Sequence, residues 1–208
     1  AVLRTLTWVI GLPLAALFTG MLLLGIALAM AYPNLPEINS LVDYRPKLPM
    51  RVISADGVML GEYGDERRSY LPIDQIPKVM QDAVLEIEDS RFYEHGGIDF
   101  RGILRAAVEN LRDARSQGAS TITMQVARNF YLPTEKTFTR KIYEMLLSLK
   151  IESLLSKDQI LELYMNQIYL GQRAYGFAAA SDTYFGKPLK DITVAEAAML
   201  AEIGRAHV

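Results

Sequence analysis

The residues best suited to chemistry lie in the stretch 88–97, which reads Glu-Asp-Ser-Arg-Phe-Tyr-Glu-His-Gly-Gly. It combines carboxylates, a histidine, an arginine, aromatic rings and a glycine pair, a mixture more typical of a chemical site than of a packed core. Glu88 is the candidate general base, because the apolar approach through Leu85 and Ile87 favours a raised pKa. The alternative is a helix-end carboxylate that forms an ordinary ion pair with Arg91.

Two further segments follow at a distance. Residues 118–125 read Gly-Ala-Ser-Thr-Ile-Thr-Met-Gln and residues 140–144 read Arg-Lys-Ile-Tyr-Glu. On a helix, Arg140 and Lys141 share one face with Glu144, because they lie four and three residues before it. The alternative for this trio is an exposed set of ion pairs that contributes little to stability.

In order and spacing, these segments resemble motifs of the peptidoglycan glycosyltransferase family, the polymerase domain of class A penicillin-binding proteins and of monofunctional transglycosylases. The first segment matches the family pattern E-D-x-x-F-x-x-H-x-G, and the third matches R-K-x-x-E. The second departs from G-x-S-T-I-T-Q-Q at Met124, which replaces the first glutamine and removes an amide donor. Residues 157–166 and 175–187 carry two more matches, so the resemblance covers roughly 51–201.

The resemblance implies an enzyme that polymerises lipid II into glycan strands, with inversion at the anomeric carbon and release of undecaprenyl pyrophosphate. It implies that Glu88 is the base that deprotonates the acceptor hydroxyl. Glu144 is implied to be the second catalytic carboxylate, which orients the donor or its pyrophosphate. Lipid II, the growing strand, the inhibitor moenomycin and the proteins of a cell-wall synthesis complex are the implied ligands and partners.

A leaving pyrophosphate requires positive charge, which arginine supplies bidentately and lysine as a point charge. The predicted substrate-binding residues are Asp89, Ser120, Thr121, Gln125, Arg128, Lys136, Arg140 and Lys141. The family has lysine more often at position 128 and arginine at 136, so the charge is kept while the hydrogen-bond geometry changes. The alternative for the basic residues is a solvated face. Asp89 either binds substrate or holds its loop, and we expect a structural hydrogen-bonding role for His95.

No cluster of histidines and acids at fixed ligand spacing predicts a resident metal, and the sequence requires no cofactor. The resemblance nevertheless implies a divalent cation, Mg²⁺ or Mn²⁺, at the pyrophosphate of the substrate. A magnesium ion in that position would keep most of its waters.

The N-terminal region predicts a membrane anchor. Residues 5–35 carry no charge, and about 20 apolar residues are needed for a spanning helix. We assign 1–5 to a short cytoplasmic end and 6–31 to a single span. The one basic residue before it, Arg4, favours a cytoplasmic N-terminus with the rest of the chain on the other side of the membrane. Together with this orientation, the family resemblance implies a bacterial inner-membrane protein with its catalytic domain on the periplasmic side. The alternative is a cleavable signal peptide with small-residue sites at 27–31.

Beyond the anchor, residues 32–50 read as a proline-containing linker and residues 51–208 as one glycosyltransferase domain. The chain has no cysteine, so packing alone must hold this domain together. Its net charge of −2 gives no reason to expect nucleic acid as a partner. The resemblance implies a mainly α, lysozyme-like fold with a cleft between two lobes.

Local signals place several elements. Asp56-Gly57 predicts a β-hairpin with a type I′ turn. Apolar spacing predicts a helix that ends near Glu88 and another over 98–115. Ser156 and Thr193 begin capping boxes, which predict helix starts at about 157 and 194. The residues at 98–104 mix apolar and basic side chains, and contact with lipid and burial in the core both remain open for them.

Class A penicillin-binding proteins acylate through S-x-x-K, and no serine here is followed by lysine three residues later. We therefore expect no penicillin binding. Because residues 51–72 resemble the bifunctional class A proteins more than the monofunctional ones, we interpret the chain as the N-terminal fragment of a longer enzyme. Residues 202–208 depart from the family's usual continuation and receive no role. The other functions considered are a lysozyme-like lytic enzyme and an inactive membrane-anchored, glycan-binding fragment.

Overall fold

The computed structural model describes residues 2–38, 41, 44, 49–64, 66–110, 120–133, 135 and 137–206. Packing divides the chain into two units, one ending at Glu37 and one beginning at Ile38. Each unit is described separately.

The first unit is dominated by helix α1, Val2–Ala31, which is followed by a single 3₁₀ turn at Tyr32–Asn34. Its segment Gly11–Ala31 has 21 residues, a mean hydropathy of 2.3 and no buried residue. A lipid environment requires a helix because every backbone polar group must be satisfied within the segment. α1 is long and apolar enough to cross a membrane. A signal sequence near an N-terminus would meet the same two criteria.

The second unit starts with a two-stranded antiparallel hairpin, β1 (Met50–Ile53) and β2 (Met59–Tyr63). The predicted hairpin is therefore confirmed, but its turn differs from the expectation. A type I′ turn requires a positive φ at both central residues, and only Gly57 of the Asp56-Gly57 pair has one, at +85°. The Ser54 carbonyl accepts from the Gly57 amide, so the loop is a four-residue turn that ends on a left-handed glycine.

The remainder of this unit is mainly helical, which confirms the predicted fold class at that level. Its helices are α2 (Lys78–Glu88), α3 (Phe100–Asn110), α4 (Ile122–Tyr131), α5 (Phe138–Glu152), α6 (Lys157–Gln167), α7 (Phe177–Phe185) and α8 (Val194–Ala206). Single 3₁₀ turns lie at Ile73–Gln75, Phe92–Glu94 and Leu189–Asp191. The helix predicted over 98–115 ends at Asn110 in the described part of the chain, and 111–119 lie outside it.

Side-chain caps fix where four of these helices begin. Ser156 and Gln159 form the predicted capping box, which starts α6 at Lys157. Thr193 and Glu196 exchange the same pair of bonds, which starts α8 at Val194. Thr121 and Thr137 cap α4 and α5 by accepting the amides of the residues three positions later.

Helix α4 forms the centre of the domain and packs against α5 and α6, while α2 packs against α8. Six consecutive residues of α4, 122–127, are buried, so the helix is covered on all sides over its first two turns. A helix that is buried on all sides occupies a core position. Because the polar members of this run are buried as well, their side chains must find partners inside the domain.

A second sheet consists of two short parallel strands, β3 (Arg67–Arg68) and β4 (Ala174–Tyr175). The guanidinium of Arg68 lies 4.3 Å from the ring centroid of Tyr175 and donates to Gln167 over 2.6 Å. Gly176 follows β4 with φ of +82°, and a Cβ there would lie 2.8 Å from the Asn166 carbonyl oxygen. Only glycine fits this close approach of two backbones.

Candidate active site

A cavity of about 430 Å³ opens between the end of α2, the loop after it, α3, the start of α4 and α5. It brings together nearly all of the described site residues that the sequence predicts. Those on its wall are Glu88, Asp89, Ser120, Thr121, Gln125, Arg128, Arg140, Lys141 and Glu144. The remaining predicted residue, Lys136, lies outside the described residues.

Glu88 is the last residue of α2, as its apolar spacing predicts. Met80 and Val84, on the inner face of this helix, are buried in the core. Their packing fixes the helix so that Glu88, at its end, lies at the cavity wall. Its Oε2 accepts a 2.6 Å hydrogen bond from Gln125 Nε2. Its Oε1 is buried and has no hydrogen-bond partner among the described residues. Burial raises the pKa of Glu88 above the ordinary carboxyl value, and the Gln125 hydrogen bond partly opposes that rise.

Gln125 and its neighbour Met124 occupy different environments on α4. The Gln125 side chain is only 1% exposed and its amide is used by Glu88. Met124 is also 1% exposed, but it packs in the core and does not line the cavity. The departure from the family pattern at position 124 is therefore a change in core packing, and the amide beside Glu88 is retained.

Asp89 ties the loop after α2 to the start of α4. Both carboxylate oxygens lie 3.0 Å from His95 Nε2, and Oδ2 also accepts the Ile122 backbone amide over 3.2 Å. The carboxylate is almost completely buried, at 4% side-chain exposure. Of the two roles open for Asp89, holding the loop is the one these contacts support. His95 makes the structural hydrogen bond expected from the sequence.

Ser120 and Thr121, the two predicted hydroxyl residues, also form hydrogen bonds within the protein. Thr121 caps α4 and donates to the Gly97 carbonyl over 2.6 Å, so it joins the glycine pair to the helix start. Ser120 accepts a hydrogen bond from Lys141 Nζ. Through these bonds the stretch 88–97, the second motif and the third motif form one connected wall.

Helix α5 presents the predicted trio on one face. Glu144 is 1% exposed, and its Oε2 accepts from Lys141 Nζ over 2.9 Å. Arg140 Nε lies 3.1 Å from Oε1 of the same carboxylate, within ion-pair distance but without the alignment of a hydrogen bond. The buried carboxylate excludes the alternative of a solvated ion-pair face, and it holds two cations at the cavity.

Arg128 adds a third cation from the last turn of α4. Burial lowers the pKa of its guanidinium, and the nearby Arg140 charge acts in the same direction, while Glu144 opposes both. An arginine stays protonated despite such shifts because its ordinary pKa is so high. Three fixed positive groups therefore share a wall with the half-buried Glu88.

Several residues of this region were not predicted from the sequence. Tyr164 on α6 is fully buried, and its pKa is raised well above the ordinary value by burial and then by the charge of Glu88. Arg91 forms an ion pair with Asp99, and both line the cavity. The only feature of the sequence that pointed to Tyr164 was its position in the matched segment 157–166. Arg205 of α8 also lines the cavity, but it belongs to 202–208 and receives no role here.

The described residues do not fit a resident divalent cation. Within the ranges given above, no group of three or more histidine, aspartate or glutamate side chains is arranged to hold a metal. The most buried carboxylate of the cavity, Glu144, already faces Lys141 and Arg140. A carboxylate that is already paired with two cations is a poor ligand for a further cation.

The chain is similar in sequence to several known proteins. The sequence profile of the family described as Transglycosylase matches residues 56–207. Penicillin-binding protein 1A of Neisseria meningitidis is 53% identical over 204 residues, 98% of this chain and 26% of the relative. A Cupriavidus necator protein described as a transglycosylase is 52% identical over 92% of this chain and 74% of its own length.

A solved structure, penicillin-binding protein 1A from Haemophilus influenzae, is 26% identical over 78% of this chain and 15% of that one, with a TM-score of 0.37. The chain spans about a quarter of the length of the penicillin-binding protein 1A relatives that it matches. The profile covers more than half of the chain, including the whole cavity wall. The chain therefore belongs to the transglycosylase family.

Proposed function

We propose that the chain is a peptidoglycan glycosyltransferase that polymerises lipid II, with Glu88 as the general base. The observation that supports this most directly is the pairing, on one cavity wall, of a half-buried carboxylate that has a free oxygen with three cations. A sugar transfer from a lipid pyrophosphate needs both features, a proton acceptor and a stabiliser of the leaving group.

Glu88 is suited to the base role because its pKa is raised, it lines the cavity, and its Oε1 has no hydrogen-bond partner among the described residues. A base works best when its pKa approaches the working pH, since it is then both deprotonated and basic. In the proposed step, the 4-hydroxyl of the acceptor sugar loses its proton to Glu88. Its oxygen forms a new bond to the anomeric carbon of the donor.

The bond between that carbon and the pyrophosphate oxygen breaks on the opposite face, and the electron pair leaves with undecaprenyl pyrophosphate. The configuration at the anomeric carbon is thereby inverted. Arg128, Arg140 and Lys141 receive the negative charge that develops on the leaving group. Glu144 keeps Arg140 and Lys141 in place, because its buried carboxylate faces both. Fixed charges stabilise a transition state without reorganising at the moment of reaction.

We propose in addition that α1 anchors the enzyme in the bacterial inner membrane, with the catalytic unit on the periplasmic side. A lipid-linked substrate with a long polyprenyl tail stays in the bilayer, so an enzyme that uses it gains from being held there. The growing strand is the second substrate in this proposal, and other cell-wall synthesis proteins are its partners.

The test is to incubate the detergent-solubilised chain with labelled lipid II and to separate the products on a gel. We expect a ladder of glycan strands that disappears in Glu88→Gln with the far-UV circular dichroism unchanged. Glu94→Gln is the matched control, since Glu94 lies in the same motif but is exposed and off the cavity wall. Near-normal polymerisation by Glu88→Gln would overturn the base assignment.

Two other outcomes separate the alternative functions. Clearing of a peptidoglycan suspension without a ladder would identify a lysozyme-like lytic enzyme, for which the three cations have no use. A folded chain that neither polymerises nor clears, and binds moenomycin only weakly, would identify a glycan-binding anchor.

A further inference from the structure

Among the described residues, the buried side-chain amide of Gln125 makes one hydrogen bond. Its partner is Glu88, the proposed base. Gln125 Nε2 lies 2.6 Å from Glu88 Oε2, a short distance that is typical of a bond to an ionised acceptor. The two residues are 37 positions apart in the chain, and they meet because α2 ends beside the first turns of α4. The sequence pattern had suggested a different role for Gln125, as a ligand of sugar or phosphate.

The environment of Gln125 fixes the direction of this bond. Its side chain is only 1% exposed and lies among buried residues of α4, so the surrounding packing holds its amide against Glu88. An ionised carboxylate only accepts hydrogen bonds, so the amide must present its N–H₂ group to Glu88. The Gln125 Oε1 and the Glu88 Oε1 are both buried and have no hydrogen-bond partner among the described residues.

We propose that Gln125 is a positioning residue, whose amide holds Oε2 of Glu88 and so fixes the orientation in which the carboxylate takes the proton. This inference rests on the proposed function for the identity of the acceptor hydroxyl. In the transfer, the acceptor O–H bond breaks, a new O–H bond forms on the Glu88 carboxylate, and the Gln125 amide keeps that carboxylate in place. The amide bond favours the ionised form of Glu88 and weakens when the carboxyl is protonated.

Other charged groups act on Glu88, and the proposed test must hold them constant. Arg128 faces it from α4, Tyr164 from α6, and Arg205 and Glu202 from α8. A Gln125→Met variant changes none of these and has nearly the volume of the original side chain. Met124→Leu is the matched control, because it alters a fully buried neighbour on the same helix that does not line the cavity.

The first measurement is a carbon-13 NMR titration of the glutamate carboxyl carbons in the detergent-solubilised chain. The Glu88 resonance is the one that is missing in Glu88→Gln. We expect the Glu88 titration midpoint to move to higher pH in Gln125→Met and to stay in place in Met124→Leu. An unmoved midpoint in Gln125→Met would overturn the proposal. This readout does not depend on lipid II, so it separates failure of this inference from failure of the proposed function.

The second measurement is the pH dependence of kcat/KM for lipid II polymerisation. The acidic limb of the profile should move to higher pH in Gln125→Met, with a loss of about tenfold at the acidic end, the usual effect of removing a hydrogen bond to a charged group. A rise in KM with kcat and the limb unchanged would show that Gln125 binds substrate instead. If Gln125→Met does not fold, Gln125→Asn keeps the amide but shortens its reach, and the same two criteria apply.

Discussion

At the scale of single residues, Glu88 is held in a half-buried position that lowers the stability of the folded chain at neutral pH. Burial raises its pKa from the ordinary value of 4.5, so the folded state binds this proton more tightly than the unfolded state does. The stabilising effect of that proton is present at low pH and is lost as the pH rises through the folded pKa. At neutral pH the buried charge therefore lowers the free energy of unfolding.

Glu88→Gln should consequently raise the melting temperature at pH 7.5, and the gain should shrink as the pH falls toward 4.5, the ordinary value for the carboxyl. The reason is that the amide removes a buried charge while it keeps the shape of the side chain. Differential scanning calorimetry of both proteins across this range checks the expectation. Equal melting temperatures at pH 7.5 would contradict the raised pKa.

Arg128 tests whether charge alone or bidentate geometry serves the leaving group. Arg128→Met should lower kcat/KM about 10²–10³-fold, as the removal of one transition-state donor does. Arg128→Lys keeps the charge and restores the residue that the family favours, so its loss should be much smaller. Polymerisation rates of the two variants under identical conditions make the comparison. Equal losses would mean that the fork of the guanidinium is essential.

Glu144 contributes to stability as well as to the site. Its carboxylate is 1% exposed and faces Arg140 and Lys141, so Glu144→Gln leaves two cations with a weaker partner. We expect a decrease of about 2 kcal/mol in the free energy of unfolding, the usual magnitude for a charged hydrogen bond. Urea denaturation at neutral pH measures it. An unchanged midpoint would indicate that solvent replaces the carboxylate without cost.

At the scale of elements, the loop between α2 and α3 is fixed by a glycine pair whose members differ in environment. Gly97 has φ of +87°, and a Cβ on it would lie 3.0 Å from the backbone of Ser148 on α5. Gly96 would meet nothing within 4 Å. The Gly97 carbonyl also accepts the Thr121 hydroxyl, so this residue connects the loop to both α5 and α4.

Gly97→Ala should destabilise the domain by about 1–3 kcal/mol, because it combines a strained φ with a clash against backbone. The matched variant Gly96→Ala should stay within about 0.5 kcal/mol of the original protein. Chemical denaturation of the two variants gives the difference directly. Similar stabilities for both would show that the loop relaxes away from α5.

At the scale of the whole molecule, the two units meet different physical demands. The second unit, which contains the candidate active site, has a buried core built around α4. In the first unit, the side chains of the long apolar helix α1 are exposed. Such an uncovered apolar surface is stable in hydrocarbon and aggregates in water. Membrane integration of α1 is therefore the expectation that completes the proposed function.

The double variant Leu17→Arg, Leu22→Arg should shift the chain from the membrane pellet to the supernatant after alkaline extraction. Each arginine near the centre of a spanning helix costs about 2.5–3.5 kcal/mol on the insertion scale. Leu17→Ile with Leu22→Ile is the control that keeps the helix apolar. A double arginine variant that remains in the pellet would mean that another surface of the chain holds it to the membrane.

The sequence by itself determined the features that depend on neighbours a few residues apart. The capping boxes fixed the starts of α6 and α8, the apolar spacing of α2 placed Glu88 at its end, and the interval between Arg140 and Glu144 put them on one face. The uncharged stretch likewise predicted a long apolar helix, and α1 runs from Val2 to Ala31. These patterns act through local backbone geometry, which the sequence encodes directly.

Only the tertiary structure decided which of these side chains meet. The bond from Gln125 to Glu88, the tie from Asp89 to Ile122 and the burial of Met124 in the core all depend on how α2 and α4 pack. Residues 33 or 37 positions apart are joined by that packing and by the register of each helix. Tyr164 was missed for the same reason. No local period specifies such contacts, because they follow from the way the whole core excludes water and fills its volume.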